Sequence, residues 1–448
     1  MKNLKGISQM KISRSFLLLF FVSFIWSCKD KCTQIQTYRT TKPKQISLKE
    51  LRGGISNGSS VSLEKPGKIY IKDNYLFINE IKKGIHVIDN SNPSSPKFIS
   101  FINIPGNIDM AVVDNIMYAD SYTDIVVIDI TNPAKIGELN RVEKVFLNGT
   151  ADGVTWYLDE QNKQIVDYEW VTRTDTIEVI CEGGVYPQIY YRGGGIFYES
   201  AFADKSALSS SSGSQSGTSA PGASGKGGSM ARFGIVNDYL YAVSNSELIP
   251  FNISNLAKPQ ILPKVNLNWG IETIFPYKDK LFIGSTTGMH IYDNKDPAKP
   301  KWLSTYNHFK ACDPVVVYDK YAYVTLRSNN GFGRCGVVNS NQLDLIDIED
   351  PEYPTLVKSF DMEGPAGLGI DYPNLFICEG DKGMKVFSMA NPLEIDKNKL
   401  AEFKNFEAYD VIPLNKKLMV IGKDGLYQYD YSDPKNMKLL SSIKSVVK

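Results

Sequence analysis

The sequence predicts an all-β chain built as a β-propeller of four-stranded blades. Three observations carry that expectation. A strand-then-turn phrase recurs seven times. Its spacing clusters near 41 residues, the length of one four-stranded blade. A second short apolar strand precedes every copy, so each unit reads as four antiparallel strands. One such unit cannot bury both its faces, whereas radial stacking buries them and leaves short edges.

The phrase is clearest at Ile85-His86-Val87-Ile88-Asp89 with Pro93, and at Ile125-Val126-Val127-Ile128-Asp129 with Pro133. It returns at Asp293 with Pro297, Asp347 with Pro351 and Asp430 with Pro434. Asn252 with Leu256 and Ser388 with Pro392 are weaker copies. Alternating β-branched and aromatic residues favour a strand. Asp or Asn folds back onto nearby backbone N–H groups and starts a turn. Proline cannot donate to a ladder and belongs between strands. Upstream strands include Tyr75-Leu76-Phe77-Ile78, Leu281-Phe282-Ile283 and Leu418-Met419-Val420-Ile421.

The gaps between markers are 40, 123, 41, 54, 41 and 42 residues. The long gap exceeds one unit by about two blade lengths. Residues 206–229 hold ten Ser and six Gly, which reads as a flexible solvated tract that cannot pack a core. Strand-like runs before it lack the Asn-Pro turn. They are expected to be a hairpin insert, giving seven blades, with eight as the alternative. The division expected is a signal segment 1–27, a tether 28–62, blades 1–2 in 63–148, the insert in 149–232 and the remaining blades in 233–448.

The chain has 448 residues with 50 Lys plus Arg against 49 Asp plus Glu, so net charge provides no field for nucleic acid. Only three histidines occur, which disfavours a His-rich metal site. Residues 1–27 carry Lys2, Lys5, Lys11 and Arg14, no acid, and then the apolar run Phe16 to Trp26. That order marks a secretory signal. Its removal takes four positive charges from a net of +1 and leaves −3.

Two resemblances follow from these residues. The end Ile25-Trp26-Ser27-Cys28 resembles the lipobox of bacterial lipoproteins, which implies cleavage before Cys28 and lipidation of that residue. Lys29-Asp30-Lys31 resembles the charged export signal of surface lipoproteins in Bacteroidetes. The Val-Ile-Asp-x-Ser/Thr-Asn-Pro phrase resembles the LVIVD-repeat family of bacterial β-propellers, many of them predicted lipoproteins. This likeness covers residues 67–141 and 233–445. It implies a fold and little else; the lipobox and export-signal resemblances imply a membrane partner through the lipid and a cell-envelope, outer-membrane location, with surface exposure allowed.

Stepping back nine or ten residues from each second strand reaches one end of the innermost strands. Lys68, Asp109, Arg232, Glu272, Asp313, Gly367 and Asp410 lie there. The side chains are expected to converge on one channel mouth, where carboxylates repel unless offset by Lys68, Arg232, Ca²⁺ or another cation, or a polar ligand. The competing expectation is an internally paired polar ring. Cys312 and Cys335 flank strands of one blade at the same end and are expected to form a disulfide.

Gly54-Ile55-Ser56-Asn57-Gly58 matches the Gly-x-Ser-x-Gly string of hydrolases but lacks the strand and helix that string needs, so it reads as chance. The expected function is a non-catalytic lipoprotein that binds a protein, glycan or small ligand at the channel mouth. The alternative is a hydrolytic or glycan-cleaving enzyme using the acidic ring. No catalytic or metal-binding set is assigned.

Overall fold

A computed structural model describes residues 31–59, 61–180, 225–312, 314–327 and 340–446. Cys28 and its leader lie outside them, as do Asp313 and Cys335. The chain divides into two compact units. One comprises residues 43–169 and 198–448 and holds the propeller. The other comprises residues 1–42 and 170–197. In its described part, Tyr38 Oη donates to Asp175 at 2.7 Å, and the Arg39 guanidinium lies 5.0 Å from the centre of the Trp170 ring.

Eight antiparallel sheets occur among the described residues, and seven follow one up-and-down plan. We number these seven as blades in chain order. Their innermost strands are Pro66–Lys72, Met110–Val113, Phe233–Val236, Ile271–Tyr277, Val315–Tyr318, Leu368–Asp371 and Asp410–Leu414. Each of these touches the next in that order. The ring closes where the second strand of blade 7, Lys417–Gly422, meets Pro66–Lys72 of blade 1. Because sheets pack on both sides, the second strands lose the usual apolar–polar alternation. Leu76-Phe77-Ile78, Leu281-Phe282-Ile283 and Leu375-Phe376-Ile377 are buried throughout.

The recurring phrase now has a physical role. Asp89 Oδ1 accepts from Ser91 N, and Asn92 Oδ1 accepts from Ser94 N, so two side-chain turns follow one another. The same pair recurs at Asp347 with Asp350 and at Asp430 with Asp433. The double turn aims the proline carbonyl at the preceding blade. Ser100 Oγ of blade 1 donates to Pro133 O of blade 2, Ser304 Oγ to Pro351 O, and Ser441 Oγ to Pro93 O, each at 2.6 Å. Tyr241 Oη reaches Pro297 O at 3.0 Å, and Tyr118 Oη reaches Leu256 O at 2.8 Å. Leucine serves at 256 because the neighbour uses the carbonyl, which any residue supplies.

The bond from Ser441 to Pro93 joins the last blade to the first. Gln428, fully buried, exchanges two hydrogen bonds with Asn90 across the same seam, at 2.9 and 2.8 Å. Val446 N adds a backbone bond to Leu63 O. Six blades also carry a one-residue bulge in the outer strand, at Ile99, Leu139, Leu303, Val357, Leu400 and Leu440. A bulge twists an edge strand and blunts it against pairing with another chain.

The eighth sheet combines Asn148–Ala151, Val154–Asp159, Gln164–Ile180 and Lys31–Ser47. Gln164–Ile180 is one strand of 17 residues. Trp156 packs edge-on against Tyr122 of blade 2, with ring centres 5.3 Å apart. Asp167 accepts from Tyr122 Oη and Lys82 Nζ, each at 2.7 Å. The expectation of a plain tether over 28–62 is corrected: Lys31–Ser47 is a sheet strand, and Ser56–Gly58 pairs with the outer strand of blade 1. Polar, Thr-rich runs hide such strands, because their partners lie far away in sequence. Ser56 therefore sits on an edge strand, which a nucleophile string does not use.

Candidate functional site

Of the sequence-predicted ring, the Lys68 and Asp109 side chains meet, whereas those of Arg232, Glu272 and Asp410 meet other groups. Lys68 is 7% exposed, Asp109 2%, Glu272 3% and Asp410 5%. Lys68 Nζ lies 3.3 Å from Asp109 Oδ2. Asp109 also accepts from Met110 N at 2.7 Å and Arg232 N at 2.8 Å. The Arg232 guanidinium turns away to Asn245 Oδ1, 2.8 Å distant. Asp410 Oδ1 accepts from Ser229 N, Ser229 Oγ and Val411 N at 2.9–3.0 Å. Glu272 Oε1 lies 3.4 Å from Cys312 Sγ. Cys312 is disulfide-bonded, and its backbone pairs with Arg327 at the mouth end of blade 5. Among the described residues no three His, Cys, Asp or Glu side chains gather as a metal set.

Burial dominates the charges. It pulls the Lys68 ammonium down to about 7, against the attraction of Asp109. It pushes the Asp410 carboxyl up to about 7, although three donors favour the charged form. Asp120, which accepts from Ile108 N and Asp109 N, rises to about 6 for the same reason.

The segment that caps Asp410 is one that sequence reasoning missed. Residues 225–232 run along the channel from the far end to the mouth. Gly225 N donates to Val112 O of blade 2 at 2.9 Å. Lys226 and Gly227 pair antiparallel with Ile71 and Tyr70 of blade 1. Lys226 Nζ reaches Pro413 O of blade 7 at 2.7 Å. Leu368 N of blade 6 donates to Ser229 Oγ at 2.7 Å, and Ile274 N of blade 4 to Ala231 O at 2.9 Å. Arg232 N then meets Asp109, and the chain turns into blade 3.

The expectation that all of 206–229 is a solvated tract is therefore corrected at its end. Glycine is required there by close approach. A Cβ on Gly228 would lie 1.9 Å from Asp410 Oδ2, and one on Gly225 2.3 Å from the Tyr70 ring. The signal available in sequence was Gly225-Lys226-Gly227-Gly228-Ser229 just before a strand, but linkers share that composition.

The histidines have packing roles. His86 is buried against Phe98 and Phe101, with Nε2 3.1 Å from Glu80 Oε2. His290 Nδ1 lies 2.8 Å from Thr305 Oγ1, and His308 Nδ1 2.6 Å from Phe309 O.

The ring has a pH signature. Between about 4 and about 7 native Asp410 holds a proton that the unfolded chain releases, its unfolded value being near 3.8. Its contribution is complete at low pH and is lost as pH rises through 7. Lys68 runs the other way, since the unfolded chain holds its proton up to 10.5; that contribution returns as pH rises from about 7. Asp410→Asn removes the first limb. Chemical unfolding should show the variant gaining on the parent by up to about 1.4 kcal/mol per pH unit between pH 4 and 7. A constant difference across that window contradicts the assignment.

Comparison with known proteins agrees with this architecture. The LVIVD repeat model matches residues 65–103, 108–144 and 337–362. The first two spans are blades 1 and 2; the third covers outer strands of blade 5. No curated protein matches the chain. Among solved structures, the periplasmic gluconolactonase PpgL of Pseudomonas aeruginosa superposes with a TM-score of 0.52 at 9% identity, covering 84% of this chain and 96% of that one. BamB of Moraxella catarrhalis gives 0.46 at 7% identity, over 89% and 97%. At such identities the likeness concerns the fold alone. The chain is a β-propeller that carries LVIVD repeats at three places.

Proposed function

We propose that this chain is a non-catalytic binding or scaffold protein of the cell envelope, held at the outer membrane by lipid on Cys28. One observation carries the non-catalytic reading. Two acids of the ring, Asp109 and Asp410, are buried and hold backbone N–H groups of the chain's own channel segment. A catalytic acid or base must instead be within reach of a substrate proton. The propeller is then a rigid body whose partner, a protein, glycan or small ligand, meets its open surfaces.

The direct test is turnover. The mature chain should hydrolyse lactones, esters and glycosides no faster than its Asp109→Asn and Asp410→Asn variants. A rate that both substitutions abolish, in variants that still fold, makes the hydrolytic alternative correct. For the anchor, Cys28→Ser should move the protein from the membrane to the soluble fraction; unchanged fractionation defeats it.

A further inference from the structure

The channel segment does not fill the channel evenly. Its bonds at residues 225–229 go to blades 1, 2, 6 and 7. The side facing blades 4, 5 and 6 is a cleft, walled by Phe275, Val316, Tyr318, Leu368 and Ile370 and bounded by Val411 and Pro413 of blade 7, with Lys226 across from them. These walls are apolar, and Lys226 is the cation among them.

Aromatic rings stand at the far rim beside this cleft. The inner strands of blades 4 and 5 end in Tyr277 and Tyr318, and that of blade 6 is followed by Tyr372. The Tyr318 and Tyr372 rings stack in parallel, centres 5.0 Å apart at 4°. Tyr277 Oη accepts from Asp319 N at 3.0 Å, which ties it to the next blade. At the position of Tyr277 and Tyr318 the other blades carry Lys72, Val113, Val236, Asp371 and Leu414.

Lys226 supplies the polar anchor. Pro413 O accepts one of the three N–H donors of its Nζ, leaving two able to take an anionic partner. Burial pulls it down to about 8, which a bound anion would reverse. An apolar cleft with few placed polar groups is the usual form of a small-ligand site.

We infer that the cleft between the channel segment and blades 4–6 binds a small amphiphilic anion, its flat apolar body against Val316 and Leu368 and its acidic group on Lys226. The inference rests on the binding reading above and deepens it, moving the ligand from the mouth to the opposite half of the channel.

The test uses two fluorescent probes on the mature chain. 8-Anilinonaphthalene-1-sulfonate carries the anion, and N-phenyl-1-naphthylamine is its uncharged relative. The native protein should bind the sulfonate saturably at one site, with a blue-shifted emission. Lys226→Met should weaken the sulfonate about tenfold, the loss of one charge-assisted contact, and leave the neutral probe nearly unchanged. Val316→Trp should abolish binding of both, and Leu368→Phe narrows the same cleft from the next blade should the first variant not fold. Absence of saturable binding by the folded parent overturns the inference, as does equal binding by a folded cleft-filling variant. Either result leaves the turnover test untouched, so the two readings fail separately.

Discussion

Gly228→Val lowers the urea midpoint of the mature chain sharply, by about 3 kcal/mol or more in unfolding free energy. The reason is local and steric. Gly228 stands where even a Cβ would overlap Asp410 Oδ2, and Asp410 is itself fixed by Ser229 and Val411. The new side chain must push the segment from the carboxylate. That leaves a buried acid without its donors, and such a group costs more than the lost bond is worth. The effect should spread, because the segment also bonds to blades 1, 2, 4 and 6. Gly137→Ala is the control: a Cβ there meets nothing within 4 Å, and the change should stay within about 0.5 kcal/mol. Equal midpoints for the two variants would mean that the segment does not occupy the channel.

Gln428→Ala is the second large effect. All four strands of blade 7 come from the C-terminal end of the chain, so no strand of blade 1 completes it. Closure therefore rests on side chains and edge contacts. Gln428 lies wholly inside that seam, bonded twice to Asn90 and once to Ser441 Oγ. Truncation removes three hydrogen bonds, strands the Asn90 amide and opens a cavity. The expected loss is about 2–4 kcal/mol. Ser441→Ala removes the bond to Pro93 O and the longer one from Gln428, leaves the Gln428–Asn90 pair intact, and should cost about 1 kcal/mol. If Gln428→Ala costs no more than Ser441→Ala, the seam is not where this ring closes.

How far the sequence could be read depends on distance along the chain. The second and third strands of each blade were legible because their apolar runs and Asx turns are local. Leu256 in place of proline looked like decay of the repeat, yet its carbonyl performs the same task. Lys31–Ser47 was not legible: its alternation is polar, and it pairs with a strand beginning at Gln164. The ring residues were found by counting along the repeat, which fixes their height in the channel. What they face was not countable, since Asp410 meets Ser229 from 181 positions away. The glycines of 225–228 followed the composition of a linker, and only the neighbouring Tyr70 and Asp410 reveal why no side chain fits.

The central claim is that the chain's own segment ties the inner strands together from within. Hydrogen exchange over residues 225–232 tests it most directly. Gly225, Ser229 and Arg232 donate their amides to Val112 O, Asp410 and Asp109. These amides should exchange with the slow set of the inner strands, on the order of a thousandfold below the free-peptide rate. Exchange of this stretch at the free-peptide rate, while the strands around it stay protected, would contradict the account.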